Sequence, residues 1–126
     1  MLSTSLRSNN VLGDDMSTRC LTVIQDKDGK ENCVMYRHCD GYPDGHGKEL
    51  KDFLRGMEVV NGIQCDYERV ANGIGCLSAQ IVSHFKKSDV GGIYLHPPDT
   101  RNLGEDYIYF VTCEVGMKIK IKVVEV

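Results

Sequence analysis

The spacing of apolar residues switches from strand-like to helix-like across a single loop, and that switch points to a mixed architecture. Residues 39–47 (CDGYPDGHG) hold three glycines and one proline in nine positions. That is the composition of a tight, shaped turn. Upstream, residues 19–25 (RCLTVIQ) and 31–38 (ENCVMYRH) are rich in β-formers. Asp26-Lys27-Asp28-Gly29-Lys30 joins them, with Gly29 available for positive φ, so the two runs predict a β-hairpin. A calcium loop is excluded there, because the Asp-x-Asp-Gly stretch is short and no Glu stands at its twelfth position.

Downstream, Leu50, Phe53, Leu54 and Met57 recur at i, i+3, i+4 and i+7 and predict a helix at about 47–55, ended by Gly56. Residues 58–70 read as a connection with a short extended piece. A second helix is predicted at about 73–87, with Ile74, Leu77, Ile81, Val82 and Phe85 on one face. Asn72 suits its N-cap, and Lys86 and Lys87 suit the negative end of its dipole.

Three strands follow, at 91–96, 107–115 and 117–125. Pro97-Pro98 halts the first, and 97–106 (PPDTRNLGED) forms a polar loop. The last alternates, with Met117, Ile119, Ile121 and Val123 on one face and Lys118, Lys120 and Lys122 on the other. Residues 107–111 are apolar on both faces, which suits a central strand or a subunit contact. The order is ββ-αα-βββ. The expected fold is α+β, a largely antiparallel sheet with two α-helices packed on one face.

A chain of 126 residues suits one domain. Residues 1–15 are Ser-, Asn- and Asp-rich and read as a flexible extension, with a single ligand-binding domain at 16–126. No run approaches the ~18 consecutive apolar residues of a membrane span. The N-terminus lacks the apolar core of an export signal, so a cytoplasmic location is expected. Six cysteines without export or a C-x-x-C pair read as reduced thiols that pack as small apolar groups. A net charge of -3 argues against long nucleic acid as a partner.

The segment Tyr36-Arg37-His38-Cys39-Asp40-Gly41-Tyr42 runs from a strand end into the glycine loop and towards a helix start. Arg37 offers a forked donor set for phosphate, and Tyr36 or Tyr42 an aromatic face for a base. The plain alternative is a loop whose Gly and Asp satisfy turn geometry. A second candidate wall is Pro97-Pro98-Asp99-Thr100-Arg101-Asn102, and Arg19 is a third cation beside the first strand. A nucleophile-base-orienter reading of His38-Cys39-Asp40 is weak, because sequence neighbours on a strand point to opposite faces. No metal or cofactor motif appears, and the chain is expected not to be an enzyme.

The Arg37-His38-x-Asp40-Gly41-Tyr42-Pro43 block, with Gly45-x-Gly47 before a helix and a hairpin after Met16-Ser17-Thr18-Arg19, resembles small phage anti-defence sponges. Among these it resembles the first Thoeris anti-defence family, over residues 16–126. That resemblance implies a homo-oligomer that binds cyclic ADP-ribose variants, and in some members cyclic oligonucleotides, in pockets built between protomers. No bond of the ligand is broken. The residue types such a pocket needs are present here. Arg37 and Arg101, with Arg19, would neutralise a pyrophosphate. Tyr42 or Phe85 would stack on adenine, and His38, Asp40, Asn72, Asp99 and Asn102 complete the expected set. The expectation from this placement is that Arg37→Ala and Arg101→Ala weaken binding and leave folding intact. Two other readings compete: an inhibitor that binds a host defence nuclease, and a small hydrolase using Cys39 or His38.

Overall fold

The computed structural model describes residues 18–62, 69–87 and 91–126. The expected N-terminal extension and Cys65 lie outside the described residues. The predicted hairpin is formed by β1 (Cys20–Gln25) and β2 (Glu31–Arg37). Val23 stands opposite Val34, and the register slips at Ile24/Gln25. Gly29 takes φ +84, as its turn requires. Asp26 Oδ1 accepts the N–H groups of Asp28 and Lys30 at 2.9 Å each, which closes the turn.

The main sheet has five strands in the order β5 (Ile93–His96), β2, β1, β6 (Tyr107–Thr112), β7 (Lys120–Glu125). Only the β1–β6 pair is parallel. The fold is therefore α+β with a mostly antiparallel sheet. β6 lies between β1 and β7, so the strand that is apolar on both faces is an inner one.

Two helices, α1 (Lys48–Leu54) and α2 (Gly73–Lys86), cover one face of the sheet. Cys20, Ile24, Met35, Tyr109 and Val111 project towards them and form one core with Leu50, Leu54, Leu77, Ile81 and Phe85. The alternate residues Leu21, Val23 and Val34 project to the other face, where Tyr36, Leu103, Ile108 and Phe110 pack around them. The loop 97–106 crosses that second face, bringing Leu103 onto it.

Four expectations change in detail. The glycine loop contains one turn of π-helix, Pro43–Gly47, that runs directly into α1. Pro43 stands at its start, where a missing N–H costs nothing. The connection 58–70 carries short strands at both ends, β3 (Glu58–Val60) and β4 (Val70–Asn72), which pair in parallel. Asn72 stands at the N-cap position of α2, which starts at Gly73 as predicted, but its side chain does not cap the helix because its Oδ1 accepts the Gly62 N–H at 2.7 Å. The last strand begins only at Lys120. The preceding turn is tied elsewhere, with the Gly116 N–H donated to the Val59 carbonyl at 3.2 Å and the Met117 N–H to Glu114. Met117 and Val123 are thus exposed, and only Ile119 and Ile121 of the predicted face reach the core.

Candidate functional site

The Arg37–Gly47 segment folds into a buried polar knot on the helix-covered face. His46 is fully buried, stacked on Phe85 with ring centroids 4.5 Å apart and tilted against Tyr109 at 4.9 Å. Arg37 donates from Nη1 to His46 Nδ1 at 3.2 Å. Because arginine only donates, Nδ1 carries no proton, so Nε2–H is the donor to Thr22 Oγ1 at 2.7 Å. Burial, aided by the Arg37 charge, pushes the imidazole pKa down to about 3, so His46 is neutral near pH 7.

Arg37 is then fully committed within the chain. It pairs with Glu49 at 3.4 Å, approaches Asp40 at 4.0 Å and lies 5.5 Å from the Phe85 ring centroid. Glu49 in turn accepts from His84 at 3.0 Å, and His84 stacks on Phe53 at 4.3 Å. Gly41 has no room for a side chain, since a Cβ there would meet the Arg19 carbonyl carbon at 2.8 Å. Tyr109 donates its O–H to the Gly41 carbonyl at 2.7 Å. These contacts give Arg37, Asp40 and Gly41 of the block an architectural role. Phe85, buried beneath His46, offers no face to a base. Tyr42 is half-buried against Gly45.

Arg101 lies on the opposite face of the sheet, 5.7 Å from the Phe110 ring centroid. Its guanidinium grips Glu31 through Nη2–Oε2 at 2.6 Å and Nη1–Oε1 at 3.3 Å. The proposed Arg37–Arg101 cradle is therefore not formed within one chain, because the two side chains leave opposite faces of the sheet. Asp99 and Asn102 shape the same loop. Both have positive φ, 69° and 64°, a conformation that Asp and Asn tolerate. The Asp99 N–H donates to Glu31, and the Asn102 N–H to Glu105. Asn72 belongs to the small sheet and joins neither group.

Arg19 and His38 do come together, on the face without helices. Tyr36 stands at the centre of an aromatic platform. Its ring lies 6.1 Å from that of Tyr94 and meets His96 edge-on at 6.3 Å. Its hydroxyl is 3.1 Å from His38 Nδ1. Burial pushes the Tyr36 phenol up, and the Arg19 charge opposes that shift. Tyr94 is 50% exposed, so the platform is open to a ligand.

The Arg19 guanidinium is the unusual group here. Its main chain is held by Asp106, which accepts the Arg19 N–H at 3.1 Å and donates its own N–H to the Arg19 carbonyl at 2.8 Å. Its side-chain Nε is buried with no hydrogen-bond partner. Among the described residues no carboxylate pairs with it. Gly104 passes directly over it, and a Cβ there would stand 3.0 Å from Nη1. A half-buried guanidinium that no carboxylate pairs with among the described residues favours an incoming anion.

Sequence reasoning missed Tyr94 and His96 as platform members. The β2–β5 register, Tyr36 opposite Tyr94 and Val34 opposite His96, is what assembles them. It also missed a cleft of about 690 Å³ beneath α1, lined by Met57, Val59 and Ile119 together with Lys51, Arg55 and Lys118. No metal-binding cluster occurs among the described residues. Among those residues no helix is long and apolar enough to cross a membrane. No family model, no curated protein and no solved structure matches the chain.

Proposed function

We propose that the protein binds an anionic cyclic nucleotide signal of the cyclic ADP-ribose class and holds it without breaking a bond, as a phage anti-defence sponge in the host bacterial cytoplasm. The observation that carries this reading is the Arg19 guanidinium, its buried Nε without a hydrogen-bond partner among the described residues, beside the open Tyr36–Tyr94 platform. Such a pair supplies what a nucleotide needs: one charge-assisted donor for phosphate and a flat face for the base. The resemblance of the Arg37–Pro43 block to the Thoeris anti-defence family supports the same ligand class. The platform is open rather than enclosed, so a second protomer completes the pocket. A single charge-assisted contact contributes roughly 1.5–3 kcal/mol, about ten- to a hundred-fold in affinity.

The test is calorimetry with cyclic ADP-ribose isomers and cyclic oligonucleotides, followed by heating the complex and identifying the released ligand by mass spectrometry. Intact ligand, and at least ten-fold weaker binding by Arg19→Ala and Tyr36→Ala in chains that still unfold cooperatively, is the expected result. A hydrolysed product would reject the sponge and point to an enzyme. The exposed Tyr94 and Leu95 favour a second reading, an inhibitor of a host defence nuclease. Retention of one nuclease from host lysate, with no nucleotide affinity, would select it.

A further inference from the structure

The edge strand β5 carries the two most exposed large apolar side chains within the strands of the sheet, Leu95 at 61% and Tyr94 at 50%. β5 pairs with β2 only, in antiparallel register. His38 donates its N–H to the Gly92 carbonyl at 2.8 Å. Counting along the register, the backbone groups of Gly92, Tyr94 and His96 face β2, and those of Ile93 and Leu95 face outward. The outward Leu95 N–H and C=O find no partner among the described residues. A sheet edge of this kind is a template for another strand.

We propose that this edge pairs with the β5 edge of a second copy, antiparallel, with the two Leu95 residues facing each other on the two-fold axis. The two Leu95 residues then exchange N–H···O=C bonds. Each Ile93 N–H reaches the Pro97 carbonyl of the second copy, an oxygen that already accepts from Thr100 Oγ1 at 2.8 Å in its own chain and shares its lone pairs with the incoming N–H. Pro97 has no N–H to return to Ile93. The Ile93 carbonyl does not need one, because Lys86 Nζ of its own chain already donates to it at 3.0 Å. With the axis at Tyr94, the Leu95 N–H would share the Ile93 carbonyl with Lys86, and Tyr94 would stand opposite Tyr94 rather than His96. With the axis at His96, the Leu95 carbonyl would face the Pro97 nitrogen and stay unpaired.

The same register serves the candidate site. Tyr94 of each copy comes opposite His96 of the other, on the face that carries Tyr36. The aromatic platform becomes continuous across both chains, with an Arg19 on each side. The pairing rests only on the oligomeric part of the function proposed above, so a failure of nucleotide binding would leave it standing.

Sedimentation velocity on the full chain, without ligand, tests it. The expected mass is twice that of one chain. Leu95→Pro removes the axial N–H at an outward edge position, which strands tolerate, and should give a folded monomer. Leu95→Cys should form a covalent dimer under mild oxidant, since facing residues of a hydrogen-bonded pair lie within disulfide reach. The parent chain under the same oxidant controls for its own cysteines. A monomeric parent, a Leu95→Pro dimer, or a Leu95→Cys chain that cross-links no faster than the parent would each overturn the proposal. Should Leu95→Pro fail to fold, the cross-link decides.

Discussion

Arg37 donates a hydrogen bond from Nη1 to Nδ1 of the fully buried His46 at 3.2 Å, so the native state holds this imidazole in its neutral form. Its pKa falls to about 3 in the folded chain against 6.5 in the unfolded one. Between these values the unfolded chain binds the proton and the native chain does not. The stabilisation is fully present above pH 6.5 and is lost as pH falls towards 3. The slope is about 1 kcal/mol per pH unit. Urea melts from pH 7 to pH 4 should show this decline, and His46→Gln should flatten it. A parent whose stability is level across that window would contradict the neutral, buried assignment.

Arg37→Ala is expected to harm folding first. The change removes the donor to His46, the partner of Glu49 at 3.4 Å and the cation lying against Phe85. Stranding buried polar groups in this way costs on the order of 2–4 kcal/mol. Thermal melts should fall by roughly 10 °C. This revises the expectation, drawn from sequence, that Arg37→Ala leaves folding intact.

Gly41 and Gly29 separate crowding from backbone strain. A Cβ on Gly41 would lie 2.8–2.9 Å from main-chain atoms of Arg19 and Cys20 and from Cys20 Cβ, none of which can swing aside. Gly29 has open space but φ +84. Gly29→Ala should therefore cost about 1 kcal/mol, and Gly41→Ala several times that. Tyr109→Phe leaves the Gly41 carbonyl without its 2.7 Å donor and should cost about 1–3 kcal/mol. Equal losses for the two alanine variants in denaturant titrations would reject this account.

The fold was legible because its signals are local. Leu50, Leu54 and Met57 bury as their spacing predicts, and β1 and β2 follow their β-formers around the Asp26–Lys30 turn. The site was legible only in part. Arg37 at a strand end and Arg101 in a loop read alike as cations for one pyrophosphate, yet the strand turns Arg37 under the helices, while Arg101 follows its loop over the opposite face. Strand parity can place Arg37. Nothing in the sequence says which face a ten-residue loop will cross. Tyr94 joins Tyr36 through long-range register, which local periodicity does not carry. Arg19 could be named as a cation, but its buried Nε without a hydrogen-bond partner among the described residues is a property of the assembled surface.

The Arg101–Glu31 pair gives the last expectation. Burial pushes the Glu31 carboxyl up, but the Arg101 hydrogen bonds, the Asp99 N–H and the Arg101 charge outweigh it, so its pKa lies below the ordinary value. The pair fastens the loop 97–106 to the start of β2, while Gly104 near the other end of that loop packs over Arg19. Arg101→Ala frees the loop without touching the platform directly. It should lower stability by about 1–3 kcal/mol and weaken ligand binding several-fold through a looser Gly104 contact. Glu31→Gln keeps one acceptor oxygen for the Asp99 N–H and Arg101 Nη1 but turns a donor towards Arg101 Nη2, so it should loosen the loop as well. Hydrogen exchange at Asn102 and Leu103 reads the loop itself and should rise in Arg101→Ala. Weakened binding with unchanged exchange there would mean that Arg101 meets the ligand directly.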